Sequence, residues 1–284
     1  MLKENYKKFY DEIQSTIEKS RLYTDKLRNL AYGTDAGFYR LIPQIIIRAK
    51  NEKEVQKALI LANKYNLPVT FRAAGTSLAG QAITDSILIV AGKNWEEYDV
   101  LENGDVIRMQ PGIVGARVNQ ILVPYGRKLG PDPASINSAM IGGIVMNNAS
   151  GMNCGTHENS YKTILSARLI FADGTVLDTG SDESKNNFLK SHASFIRTIE
   201  AMRDRVRANE SLADRIRYKY SIKNTTGLSI NPFIDYTDPF QIIVNLMVGS
   251  EGTLAFMSEL TMKTVVNPKF KASAMIYFHD IVRV

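Results

Sequence analysis

Pro68 to Gln81 read PVTFRAAGTSLAGQ, a stretch that opens as a strand and then abandons strand chemistry. A β-branched apolar run, Val69 to Phe71, stops at Arg72, and the residues that follow are small or hydroxylic apart from Leu78. Small side chains let main-chain N–H groups approach an anion closely. Gly75 and Gly80 can take the positive φ angles that turn successive N–H groups toward one point. The expectation is a phosphate cradle. Two phosphates, each receiving two or three charge-assisted bonds of about 1.5–3 kcal/mol, would hold a dinucleotide.

Two other cradles are excluded by the same residues. The spacing from Gly75 to Gly80 imitates a P-loop, but Gln81 and Ala82 stand where Lys and Ser/Thr would be needed. No G-x-G-x-x-G occurs in the chain, so a Rossmann-type nicotinamide site is not expected.

Upstream of the cradle, Ile45 to Ile47 is an apolar run. A helix is predicted over 51–65, with Val55, Leu59 and Ala62 on one face and Asn51 with Glu54 as its N-cap signature. Strand, helix and strand read as a right-handed parallel βαβ unit, whose carboxyl end is where ligands bind in open α/β units. A third strand is expected over 86–90. Earlier still, Tyr6, Phe9, Tyr10, Ile13 and Ile17 recur at helical spacing, so a leading helical arm is predicted from Tyr6 to about Asn29. Between arm and unit, Tyr32 to Pro43 is a loop. Its Asp35, Tyr39 and Arg40 either face a ligand or belong to a polar loop satisfied by its own backbone.

Downstream, Trp95 to Gln110 alternates around Glu102-Asn103-Gly104-Asp105 and is a hairpin, and 115–125 has helical periodicity. Eight of the 19 glycines then fall between Gly112 and Gly155, a stretch that contains GPDPAS (130–135), IGG (141–143) and NNASG (147–151). A long glycine-dense loop inside a compact domain is costly in chain entropy and calls for a ligand to order it; amides, hydroxyls and bare backbone suit a planar, polar-edged cofactor. Strands are expected over 165–171 and 175–178, a loop over 181–187, and a helix over 194–209. A further short helix would be capped by Ser211, with strands over 241–248 and 254–266 joined by GSEGT (249–253). Beyond Pro268, SAMIYFHD reads as the opening strand of a further domain that is cut short.

The 284 residues carry 44% hydrophobic side chains, enough for a packed core, and a net charge of +6 from 35 basic and 29 acidic groups. The excess charge gathers between Arg203 and Lys223 without interleaved aromatics, which fits a solvated helix face rather than a nucleic-acid platform. One cysteine, Cys154, excludes an internal disulfide and fits the cytoplasm. Three scattered histidines give no metal site, and no apolar run reaches membrane-span length.

The cradle RAAGTSLAGQ, the segment GPDPASINSAMIGGIVMNNASGMNCGTHENSY (130–161) and VGSEGTL (248–254) together resemble the FAD-binding domain of the vanillyl-alcohol oxidase and para-cresol methylhydroxylase type. The likeness is greatest to FAD-linked D-lactate dehydrogenases and glycolate oxidase subunits, especially the form fused to an iron–sulfur half. It implies an α+β fold of two FAD-binding subdomains, a small parallel βαβ unit over 41–92 and a larger mixed or antiparallel sheet with flanking helices over 93–267. The helical arm would occupy 1–40, and 268–284 would begin a substrate domain.

It also implies residue roles. Ala73, Ala74, Gly75, Thr76, Ser77, Gly80 and Gln81 would wrap the FAD pyrophosphate, with Pro131, Asp132 and Ser135 along the dinucleotide. Ser138, Ile141, Gly142, Gly143, Asn148, Ser150 and Gly151 would border the isoalloxazine and ribityl chain, and Gly252, Thr253 and Leu254 would close over it. The FAD would be non-covalent, since Thr76 stands where relatives carry a linking His and Cys154 lies past the ring segment as a buried structural thiol. The implied reaction is hydride transfer from a small 2-hydroxy acid to flavin, with electrons passing to an acceptor such as an iron–sulfur domain or protein. No catalytic base is assigned: His157 reads as structural, and Arg40 and Lys223 carry no assigned role. Alternatives are a related flavoenzyme of another substrate class or a non-catalytic nucleotide-binding module.

Overall fold

The computed structural model describes residues 2–270, 272 and 274–278. Its helices and strands form two sheets, confirming the α+β class. The smaller sheet holds β1 (Leu22–Tyr23), β2 (Ile45–Arg48), β3 (Val69–Arg72) and β4 (Ile87–Val90) in the order β1-β2-β4-β3. β2 and β3 each run parallel to β4, and β1 is antiparallel to β2. The parallel strands β2 and β3 on either side of the helix are not direct neighbours, because β4 lies between them. All four β4 residues are buried, so this apolar strand takes the place that is covered on both faces.

The helix Glu52–Lys64 covers this sheet, started by Asn51 Oδ1, which accepts from the Glu54 N–H at 3.1 Å. The helix Glu4–Ile13 packs on it through fully buried Phe9 and Ile13. The single arm helix expected to Asn29 is not formed: the helix ends at Ile13, and Leu22–Tyr23 pair with β2. A second helix, Lys26–Ala31, is capped by Asp25. Pairing along the edge of β2 satisfies backbone groups that a continuous helix would leave exposed there.

The larger sheet contains β5 (Tyr98–Leu101), β6 (Val106–Met109), β7 (Arg127–Leu129), β8 (Ile164–Ile170), β9 (Val176–Asp178) and β10 (Phe256–Val266). Its order is β5-β6-β10-β8-β9, with β7 pairing the far end of β10 at Thr264 to Val266, and every pairing is antiparallel. The hairpin about residues 102–105 and the strands expected over 165–171 and 175–178 are therefore present, within a residue or two. Phe256 at the start of β10 packs on Phe71 and Trp95, ring centroids 5.0 and 5.2 Å away, and so joins the two sheets. Glu52 accepts from both Arg168 Nε and Ser258 Oγ at 2.6 Å across the same seam.

Three further elements differ from expectation. Of residues 241–248, read as a strand, all but Val248 lie in the helix Pro239–Met247. A continuous apolar run suits either state when buried, and here Asp238 as cap with Pro239 in the first turn decides for helix. The loop expected over 181–187 is instead the helix Asp182–Ser191, with Ser181 accepting from the Ser184 N–H. The helix Glu210–Lys219 is capped by Asn209 rather than Ser211. The strand expected from residue 273 lies partly outside the described residues, and 274–278 carry no regular structure.

Candidate cofactor site

After Arg72 the chain leaves the small sheet, and its departure is fixed by the Ala91 N–H bonded to the Arg72 carbonyl at 2.9 Å. The following loop is held from outside. Ala36 N–H donates to Ser77 O and Gly80 N–H to Asp35 Oδ2, both at 3.0 Å. Asp35 thus belongs to the polar loop that braces the cradle rather than facing a ligand.

On the inner side, none of the N–H groups of Ala73 to Leu78 donates to another described residue. Residues 73–77 are half-buried and Leu78 is exposed, so this run of donors is free to receive an acceptor placed in the cleft. Gly75 sits at φ +75°, and a Cβ there would collide with the Arg72 guanidinium directly beneath it. That guanidinium donates to Thr34 O at 2.7 Å and to Tyr32 O at 3.3 Å. Burial pushes its pKa down, opposed by Tyr32 and Asp35, but arginine retains its charge in proteins. The loop is therefore a donor-lined concavity resting on a cation.

The second wall is the helix Ile141–Asn147, contrary to the expectation of irregular structure there. Gly142 starts it, donating to Pro111 O at 2.9 Å, and a Cβ at Gly142 would meet the Pro111 Cβ at 2.6 Å. Gly143 is different: a Cβ there would meet only Ala73 Cβ, at 3.8 Å, so its bare face opens toward the cradle.

The turn 249–253 is the third wall, fastened to the helix by Glu251 N–H to Met146 O at 2.9 Å. The Glu251 carboxyl receives Asn147 Nδ2 at 2.6 Å and Gln81 Nε2 at 3.5 Å on the same oxygen. Burial pushes this carboxyl up, against the lowering effect of those two amides.

The three walls enclose a cleft with about 1320 Å³ of atom-free space, part of it open to solvent. The cavity itself is about 360 Å³ and continues into the open part of the cleft, within the roughly 300–1,000 Å³ of ordinary small-ligand sites. Of the residues singled out in sequence, Ala73, Ala74, Gly75, Thr76, Ser77, Gln81, Ser135, Gly142, Gly143 and Gly252 line it. Others do not. Gly80 is turned to Asp35, Ile141 is in the core, and Ser138 is exposed with its hydroxyl on Ser135 O. Pro131 is buried, while Asp132 accepts from Asn153 and Cys154. Asn148 donates to Asn224 O, Ser150 O accepts from Lys223, and Gly151 packs on the Asp132 carbonyl. Thr253 and Leu254 line a separate shallow cavity beneath Gly252.

Sequence reading missed Arg72, Asn147, Glu251 and the apolar lining from Met140, Met146 and Met257. Arg72, Asn147 and Glu251 all lie inside motifs that were read (RAAGTSLAGQ, NNASG and GSEGT), where the small residues drew the reading away from the longer side chains beside them. Among the described residues lining the cleft, Arg72 and Glu251 are the ionisable ones, and neither His nor Cys lines it. Cys154 is buried elsewhere, with its sulfur toward the carbonyls of Gly151 and Gly155. His157 and Arg40 are exposed and outside the cleft.

Residues 43–180 match the family described as FAD binding domain. They are an FAD-binding domain. The unpartnered amides over a guanidinium, the bare face of Gly143 and the apolar lining suit a flavin dinucleotide in the cleft. Among curated proteins, the D-2-hydroxyglutarate dehydrogenase of Haemophilus influenzae is 24% identical over 96% of this chain. The glycolate oxidase subunit GlcD of Escherichia coli K12 is 31% identical over 51%, and the mitochondrial D-lactate dehydrogenase [cytochrome] 1 of Saccharomyces cerevisiae 27% over 84%. The chain spans 27%, 29% and 32% of their respective lengths. Among solved structures, 4-ethylphenol oxidase from Gulosibacter chungangensis aligns with a TM-score of 0.62 at 16% identity, covering 95% of this chain and 44% of that one. The FAD-binding domain therefore has the fold of the para-cresol methylhydroxylase-type oxidases. No helix among its described residues is long and apolar enough to cross a membrane.

Proposed function

We propose that this chain binds FAD non-covalently in the cleft and forms the cofactor-holding part of a flavin-dependent dehydrogenase of small 2-hydroxy acids, of the D-lactate, glycolate or 2-hydroxyglutarate class. The observation that carries the cofactor assignment is the run of unpartnered N–H groups from Ala73 to Leu78 above Arg72. Those amides and that charge would hold the diphosphate, and Gly142, Gly143 and Gly252 would leave room for the ring and ribityl chain. The flavin supplies a hydride acceptor for the substrate's α-carbon.

The chain's own contribution is placement and exclusion of water. Phe71, Met257 and Phe256 form an apolar floor that raises the strength of every polar contact above it. The names of the relatives support the substrate class, since hydroxyglutarate, glycolate and lactate share the 2-hydroxy-acid group. With one cysteine in the chain, an iron–sulfur acceptor would be supplied by another segment or protein, and a single buried thiol suits a reducing cytoplasm. The test is reduction of an artificial electron acceptor by the longest natural polypeptide containing this chain, with D-lactate, glycolate and D-2-hydroxyglutarate offered in turn. Turnover of one of them with added FAD is expected. Tight FAD binding without turnover of any 2-hydroxy acid would remove the substrate assignment and leave the cofactor assignment standing.

A further inference from the structure

Glu251 stands where all three walls meet. Its backbone is held at φ +56°, and its N–H is fastened to Met146 O. One carboxyl oxygen accepts from Asn147 on the helix wall and from Gln81 on the cradle wall, and Gln81 in turn accepts from the Ser77 hydroxyl. A single polar chain, Ser77 to Gln81 to Glu251 to Asn147, therefore crosses the cleft.

We propose that Glu251 is a positioning residue that takes up a proton when the anionic cofactor binds, so that the cleft accepts the dinucleotide and a proton together. This rests on the reading that FAD occupies the cleft.

The charges around Glu251 leave its own charge uncompensated. Arg72 lines the same cleft, but its guanidinium is turned to the carbonyls of Tyr32, Thr34 and Ala82. Asp35 accepts from the Gly37 and Gly80 N–H groups, and Lys223 donates to Ser150 O. Tyr32 lies over Arg72, and Tyr39 packs beside Gly80. The neighbouring helices Ile141–Asn147 and Pro239–Met247 contain no charged residue. Among the described residues, Glu251 makes no ion pair.

A carboxylate enclosed with a diphosphate repels it, whereas the neutral acid keeps its acceptor oxygen for Asn147 and gains a donor. Burial already favours the neutral form, and a bound anion favours it further. The sign follows. The pKa in the bound state lies above that in the empty state, so affinity is full below the lower value and declines as pH rises between the two. The decline reaches at most about tenfold per pH unit for one proton.

The test is titration of the purified chain with FAD by flavin fluorescence from about pH 5 to 8, with calorimetry in two buffers of different ionisation heat to count protons. In the wild type, Kd should rise with pH and binding should take up protons. Glu251→Gln, which keeps the acceptor and the shape, should bind with a pH-independent Kd, tighter than wild type at the upper end, and with no proton uptake. Glu251→Asp should retain the slope, and thermal melts establish that both variants are folded. An identical pH slope and proton count in wild type and Glu251→Gln would overturn the inference while leaving the cofactor site intact. A folded wild type that takes no FAD at any pH would instead overturn the reading on which it rests.

Discussion

Two glycine-bearing stretches of this chain look alike in sequence and do opposite things. In the loop from Ala73 to Leu78, Gly75 gives the space of its missing side chain to the Arg72 guanidinium, and the N–H groups of the loop stay without protein partners, open to a cleft. In the stretch from Gly130 to Gly151, the missing side chains are mostly filled by the protein itself. Gly130 abuts the Glu158 carbonyl and Gly151 the Asp132 carbonyl, and Gly142 abuts Pro111. Only Gly143 in that stretch faces open space beside the cradle. Glycine density therefore marks close approach of backbone, and what approaches can be a ligand or another piece of the same chain.

The comparison can be broken by substitution, beginning where the effect should be greatest. Gly75→Val forces a β-branched residue into positive φ and displaces Arg72, so it should remove several charge-assisted bonds and raise the Kd for FAD by more than about a hundredfold. Fluorescence titration measures this, with circular dichroism expected to show unchanged helix content. Gly143→Leu fills the open face; a loss of about ten- to hundredfold in affinity, or about 1.4–2.8 kcal/mol, should come with an unaltered melting temperature. Gly151→Ala inverts the pattern. Its Cβ would overlap the Asp132 carbonyl, so stability should drop by about 1–3 kcal/mol in urea unfolding while the folded fraction binds FAD as before. The smallest effect is expected at Cys154→Ser: flavin content should not change, and denaturation should release all the flavin from either protein.

How much of this was legible depended on how local each determinant is. The strand Val69–Arg72 and its cradle could be read because β-branching, small residues and glycine act within a few positions. Strand adjacency could not, because the place of β4 between β2 and β3 depends on which strand is covered on both faces. The helix Ile141–Asn147 escaped notice because two glycines weaken its signal, while Ile144 and Val145 hold it through burial. Within the site, backbone donors were foreseeable and side-chain directions were not. Asp132, Asn148 and Ser150 have polar groups suited to a cofactor, yet their partners are Asn153, Cys154, Asn224 and Lys223. Glu251 was passed over because a carboxyl is an unexpected neighbour for phosphate, and its place became evident only when Gln81 and Asn147 were seen to meet on it.

The central claim is that the loop 73–78, the helix 141–147 and the turn 249–253 close around one non-covalent flavin. Titrating the purified chain with FAD, and following quenching of flavin fluorescence to its end point, tests it most directly. The expected result is saturable uptake of one FAD per chain, abolished in Gly75→Val. Fluorescence that stays that of free FAD throughout, with the chain folded, would contradict it.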